Sequence, residues 1–252
     1  MNQPLESPLA RLLADATRDR ELIAEIPTPP SDAAVAYSVQ QQVIRLRQSP
    51  VGGWKVGSKS STGPIHGAPL PASGVLPSGS TVSRADWPPA GLELEVAFRL
   101  NRSFEPREEE YSDEEVLGSI GEMAATIEIV ASRFATWPKI DPLLALADLQ
   151  NHGVLVVGEF VPYRADFNFY EPSVILTLAG EDIVPGDGAN PAGDPRRLLP
   201  WLVNTYRALG QTLTPDIVIT TGTYTGLHVA KTAGEVAGEI KGLPPVSLQL
   251  VD

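Results

Sequence analysis

The run Leu92-Glu93-Leu94-Glu95-Val96-Ala97-Phe98 constrains this chain more than any other stretch. Along an extended strand successive side chains leave on opposite faces, so Leu92, Leu94, Val96 and Phe98 share one apolar face while Glu93 and Glu95 point together from the other. A second β-branched run, Thr126-Ile127-Glu128-Ile129-Val130-Ala131-Ser132-Arg133, sets Glu128 out of step with Ile127 and Ile129. If the two strands are neighbours, three carboxylates converge. Carboxylates that close cannot all stay ionised without a positive charge among them, and a hard divalent cation with oxygen ligands would supply it. The same spacing arises on an amphipathic strand whose glutamates face water, so the pattern by itself leaves both outcomes open.

Composition narrows the partners. The 252 residues suffice for a sizeable core, and 31 acidic against 19 basic side chains, net −12, argue against nucleic acid or an anionic membrane surface. With no cysteine, disulfides, thiolate metal sites and cysteine nucleophiles are excluded. Met1-Asn2-Gln3-Pro4-Leu5-Glu6 lacks the basic-then-apolar order of a secretory signal, and no apolar run reaches membrane-spanning length. The expectation is a cytoplasmic protein with a small-molecule or protein partner.

Leu9, Leu12, Leu13 and Ala16 recur at helical spacing between Ser7 and about Ile23, and Ser31 is placed to cap a second helix bearing Val35, Val39, Val43 and Leu46. Pro27 to Pro30 separates them. The chain thus divides into a helical segment, 1–50, and a β-rich domain, 51–252. Trp54-Lys55-Val56-Gly57 reads as a short extended run, followed by a Gly/Pro/Ser-rich loop through Gly79. Within the charged run 105–115, Ser112-x-x-Glu115 is a capping box for a short helix. Asp141-Pro142 and Asp194-Pro195 both combine an N-cap with proline at the first helical position; the first helix is expected to reach about Gln150, the second to stop at Gly210. Residues 153–157 and 173–178 read as strands, as does much of the last forty residues. Many strands with few, separated helices predict an α+β protein with a mixed, mainly antiparallel sheet system. No Gly-x-Gly-x-x-Gly or Gly-Lys-Ser/Thr motif is present, which removes the usual nucleotide enzymes.

Glu93-x-Glu95 in an apolar strand, Ile127-Glu128-Ile129-Val130-x-Ser132-Arg133, Lys55-Val56-Gly57, and the strand into Thr221-Gly222-Thr223 together resemble the fumarylacetoacetate hydrolase superfamily, in its 2-keto-4-pentenoate hydratase and 4-oxalocrotonate decarboxylase branch. The resemblance runs from about Gly52 to the C-terminus. It implies the superfamily's β-rich fold, Mg²⁺ or Mn²⁺ held by Glu93, Glu95 and Glu128, a small 2-oxo acid substrate, and homo-oligomers, with association with a related hydratase or decarboxylase subunit a further option. Lys55 would supply a positive charge or a proton at the reacting end, with His66 and Asp148 as further catalytic candidates and Arg133 and Thr223 as groups for the substrate carboxylate. The expected activity is a metal-dependent lyase of aromatic-compound catabolism; a carbon–carbon bond hydrolase using His66 as base, or a catalytically altered partner subunit, are the alternatives. Two departures stand out: Ala72 replaces the acid of a Pro-Asp-Phe-Gly-like loop, and Asn151 replaces the serine that follows the Ala-Asp pair. His152 and His228 flank strand starts and read as structural.

Overall fold

The computed structural model describes residues 6–184 and 187–252. In chain order, helices α1 (Pro8–Asp19) and α2 (Ala33–Leu46) precede strands β1 (Val51–Ser58), β2 (Ile65–Pro71), β3 (Val75–Pro77), β4 (Ser80–Ser83) and β5 (Pro89–Leu100). Helix α3 (Asp113–Leu117), β6 (Ile120–Ala131), α4 (Pro142–Ala147), β7 (His152–Val157), β8 (Val161–Pro162), β9 (Val174–Leu178) and β10 (Glu181–Asp182) follow. Helix α5 (Leu198–Ala208), β11 (Val218–Thr223), β12 (His228–Val229), β13 (Gly234–Ile240) and β14 (Val246–Val251) complete the chain.

The strands form two sheets. One runs β2-β1-β11-β5-β6-β7-β3, with β12 paired to β5 and β8 to β6; the other runs β10-β9-β13-β14-β4. Most pairs are antiparallel, whereas β1–β11, β3–β7 and β14–β4 are parallel, so the architecture is α+β with mixed sheets, as the element pattern predicts. Among the described residues no helix is long and apolar enough to cross a membrane.

The alternation in β5 decides how the layers stack. Leu92, Leu94, Val96 and Phe98 are fully buried in a core shared with Ile127 and Ile129 of β6, Val236, Leu248 and Leu250 of the second sheet, and Leu199 and Leu202 of α5. Helices α1, α2 and α4 build a separate cluster with Ala68 and Phe134. On the side of the first sheet opposite the main core, Leu70, Ala97, Leu155 and Val218 pack as a small apolar group. The glutamates lie on that same side.

Local signals largely survive. Ser112 and Glu115 form a reciprocal capping box, and Asp141 and Asp194 accept from the backbone N–H groups of Leu143 and Arg196. Three expectations need correction. The cap of α2 is Asp32, which accepts from Val35 N–H, while Ser31 donates to Asp32 instead. The segment after Gly57 is not one loop, because β2 and β3 lie within it; their prolines are tolerated at strand ends and edges. Helix α4 stops at Ala147 rather than near Gln150, since Leu149, Gln150 and Asn151 all take positive φ (47°, 53° and 57°).

Candidate metal centre

Antiparallel pairing of β5 with β6 sets Glu93 directly opposite Glu128 and Glu95 opposite Thr126. Paired residues share a face, so the two strands deliver three carboxylates to one spot, and oxygen atoms from Glu93, Glu95 and Glu128 lie within 4.8 Å of one another. Glu93 is half-buried; Glu95 and Glu128 are 2% and 0% exposed. Lys55 reaches the group from β1 because parallel pairing of β1 with β11 sets it beside Thr220, which itself pairs with Ala97 of β5. Its Nζ donates to Glu128 Oε1 at 2.7 Å and to the Gln150 carbonyl at 3.3 Å.

The charges do not balance. Three carboxylates face one ammonium, leaving two negative charges uncompensated when all are ionised. Burial, together with Glu128, pushes Glu93 up to about 7 against the pull of Lys55, and burial plus both neighbouring glutamates pushes Glu95 up to about 8. Burial also opposes ionisation of Glu128, but Lys55 and His152 outweigh it and hold that carboxyl below its usual range. Burial alone would lower Lys55; the three glutamates overcome this and raise it. Glu95 is further fixed by Thr220, whose hydroxyl donates to Oε2 and lies 3.2 Å from the Thr126 hydroxyl, and by the Gly222 N–H at 3.3 Å. Gly222 has φ +83° at a bulge in the β11–β5 register, a backbone state open to glycine that turns its amide toward the carboxylate.

The donor set fits a divalent cation. It is all oxygen, which suits Mg²⁺ or Mn²⁺ better than metals that favour imidazole or thiolate. Glu128 Oε2 is buried and has no hydrogen-bond partner among the described residues, an expensive state unless something positive meets it.

Other expected site residues fall differently. Arg133 does not face the carboxylates. Its Nε donates to Asp148 Oδ1, its backbone N–H to Asp148 Oδ2 at 3.0 Å, and its remaining guanidinium nitrogens to the Asp148 and His152 carbonyls at 2.8 and 2.6 Å. Both side chains are buried, and in this structure the pair braces the end of β6 against the turn before β7. Thr223 pairs with Glu95 in register, but its hydroxyl is engaged with Gly226 and Thr225 in the turn after β11. His66 lies on β2 rather than in a loop, with Nδ1 3.2 Å from the Tyr37 hydroxyl, and burial and Lys59 hold its imidazole below the usual range. His228 contacts the Thr225 carbonyl at 2.8 Å.

Two features escaped sequence reasoning. The left-handed run Leu149-Gln150-Asn151 costs about 1–3 kcal/mol per residue, and it aims the Gln150 carbonyl at Lys55. His152, fully buried, holds Nδ1 3.0 Å from Glu128 Oε1. In the register His152 stands opposite Val130, two residues along β6 from Glu128, and the sequence alone carries no signal for that approach.

No family model matches the chain. A 2-keto-4-pentenoate hydratase of Paraburkholderia phymatum is 28% identical over 96% of this chain and 95% of its own length. A 2-keto-4-pentenoate hydratase of Burkholderia vietnamiensis is 28% identical over 86% of each. Among solved structures, 4-oxalocrotonate decarboxylase from Pseudomonas putida G7, complexed with magnesium and adipate, superposes with a TM-score of 0.83 at 20% identity over 96% of both chains. Over most of its length the chain is similar in sequence to 2-keto-4-pentenoate hydratases, and it shares the fold of 4-oxalocrotonate decarboxylase. Within that homology, Ala72 opens a short 3-10 turn, Ala72–Gly74, between β2 and β3, and Asn151 ends the left-handed run before β7.

Proposed function

We propose that the chain is a divalent-metal-dependent lyase for small 2-oxo acids, of the 2-keto-4-pentenoate hydratase type, working in the breakdown of aromatic ring-fission products. The observation that carries this is the charge deficit at Glu93, Glu95 and Glu128, equal and opposite to one divalent cation, with Glu128 Oε2 left unpartnered. Those three residues would hold Mg²⁺. When bound, such an ion acts as a Lewis acid toward a 2-oxo carboxylate and favours its enolisation. The chain's own residues do the rest. Lys55 Nζ keeps its proton in this acidic surrounding and keeps Glu128 ionised; with its side chain 13% exposed, it is also the cation from which a proton or a charge-assisted hydrogen bond can reach a bound substrate. Thr220 and the Gly222 amide fix Glu95, while the apolar residues Ala97 and Leu155 limit water on the same face.

Net hydration adds one water across the terminal double bond of 2-hydroxypenta-2,4-dienoate, so the test is Mg²⁺-dependent loss of the dienoate's ultraviolet absorbance. Turnover is expected in the native sequence and absent in Glu93→Gln. A folded, metal-loaded protein inert toward this compound and its alkyl and carboxyl homologues contradicts the proposal. Ala72 and Asn151 favour one second reading, a partner subunit that keeps the cation site but has lost turnover. Gain of activity in Ala72→Asp would support it.

A further inference from the structure

Glu128 Oε1 and Oε2 have opposite environments. Oε1 accepts from Lys55 Nζ at 2.7 Å and faces His152 Nδ1 at 3.0 Å, whereas Oε2 is buried and has no partner among the described residues. A carboxylate oxygen can only accept, so the contact requires a proton on Nδ1; in the neutral ring Nε2 is then a bare acceptor. Nε2 is buried without a partner among the described residues, and a Cβ placed on Gly74 would lie 3.6 Å from it. Among the described residues the His152 ring is therefore held by one hydrogen bond, the one to Glu128, and is enclosed by the start of β7 and the Ala72–Gly74 turn.

We propose that His152 is a positioning residue that, with Lys55, occupies Oε1 and thereby commits Glu128 to meet the cation through Oε2 alone. The inference rests on the cation site proposed above and adds an orientation to it. An imidazole donating to a ligating carboxylate fixes that ligand's torsion and lowers the cost of ordering it when the metal arrives.

The test is calorimetric titration of Mn²⁺ into the metal-free protein, in the native sequence, His152→Leu and His152→Asn, together with the imidazole ¹⁵N shifts of the metal-free native protein. The asparagine amide can reproduce the Nδ1 donor; leucine cannot. His152→Leu is expected to weaken Mn²⁺ by about 10–100-fold, His152→Asn to restore most of the affinity, and the native His152 to be the neutral Nδ1-protonated tautomer. Equal affinity in all three proteins overturns the inference while leaving the cation site intact, as does a proton on Nε2. No Mn²⁺ binding by the native protein overturns the cation site and this inference with it. Should His152→Leu fail to fold, His152→Gln, whose amide stands at the Nε2 rather than the Nδ1 position, takes its place with the same expected loss, and unchanged affinity in it overturns the inference.

Discussion

Two buried groups of charge lie on either side of His152, and they are built to opposite rules. In one, Asp148 is hydrogen-bonded to Arg133 through side chain and backbone, with Arg47 as a second, more distant cation, and Arg133 spends its remaining donors on two carbonyls. In the other, three glutamates share one lysine, two of them are pushed toward the neutral form, and one oxygen is left without a partner. A closed network, whose negative charge is fully met, fixes backbone: Arg133 ties the end of β6 to the turn before β7. An open network with surplus negative charge costs stability in the metal-free chain and is retained for what it binds. Charge balance, rather than burial or acidity, separates brace from site.

The largest effect should come from breaking the brace. Arg133→Leu leaves Asp148 buried and unpaired and is expected to cost about 3–5 kcal/mol of unfolding free energy, read by urea denaturation. A loss below about 1 kcal/mol would mean that the pair is not the closed network described. At the open cluster the sign should differ: Glu95→Gln is expected to leave the metal-free protein at least as stable as the native one near pH 8.5, because it removes a carboxylate that burial and its neighbours disfavour. The same change should weaken Mn²⁺ by more than the roughly 10–100-fold typical of an outer-shell partner. Destabilisation comparable to Arg133→Leu would make Glu95 a brace as well.

A pH series sharpens the contrast. Glu93 and Glu95 hold protons in the folded metal-free chain up to about 7 and about 8, whereas an ordinary carboxyl releases its proton near 4.5. Between those limits the folded state binds more protons than the unfolded one, so their contribution is fully present below about pH 4.5, falls as pH rises and is lost above about 8. Melting temperatures across that window should decline without metal, and saturating Mg²⁺ should flatten the decline. A metal-free profile with no such fall contradicts the raised carboxyls. The smallest expected change is Thr126→Val, which removes only the hydroxyl contact behind Thr220, about 0.5–1.5 kcal/mol, with Mn²⁺ affinity nearly unchanged; a tenfold loss of affinity would make the threonine pair part of the site.

The carboxylate cluster was legible in the sequence because β-strand alternation has a period of two and both strands are long: twelve residues each in β5 and β6. The helix starts at Asp141 and Asp194 and the Ser112 capping box were legible because their hydrogen bonds span only a few residues. What was not legible depends on partners distant in the chain. β2 and β3 are strands because β1 and β7 pair with them, in a segment whose own residues favour turns. Arg133 reads as a carboxylate binder from its motif, and only the fold shows that the carboxylate is Asp148. Neither the three left-handed residues before β7 nor the His152–Glu128 contact has a glycine or a periodic signal to mark it.

The most direct test of the open cluster is calorimetric binding of oxalate, a stable mimic of a 2-oxo acid's chelating end, with and without Mg²⁺, to the native protein and to Glu128→Ala. The account predicts Mg²⁺ binding, oxalate binding only in its presence, and loss of both in the variant. Oxalate binding that ignores Mg²⁺, or Mg²⁺ binding that survives Glu128→Ala, would contradict it.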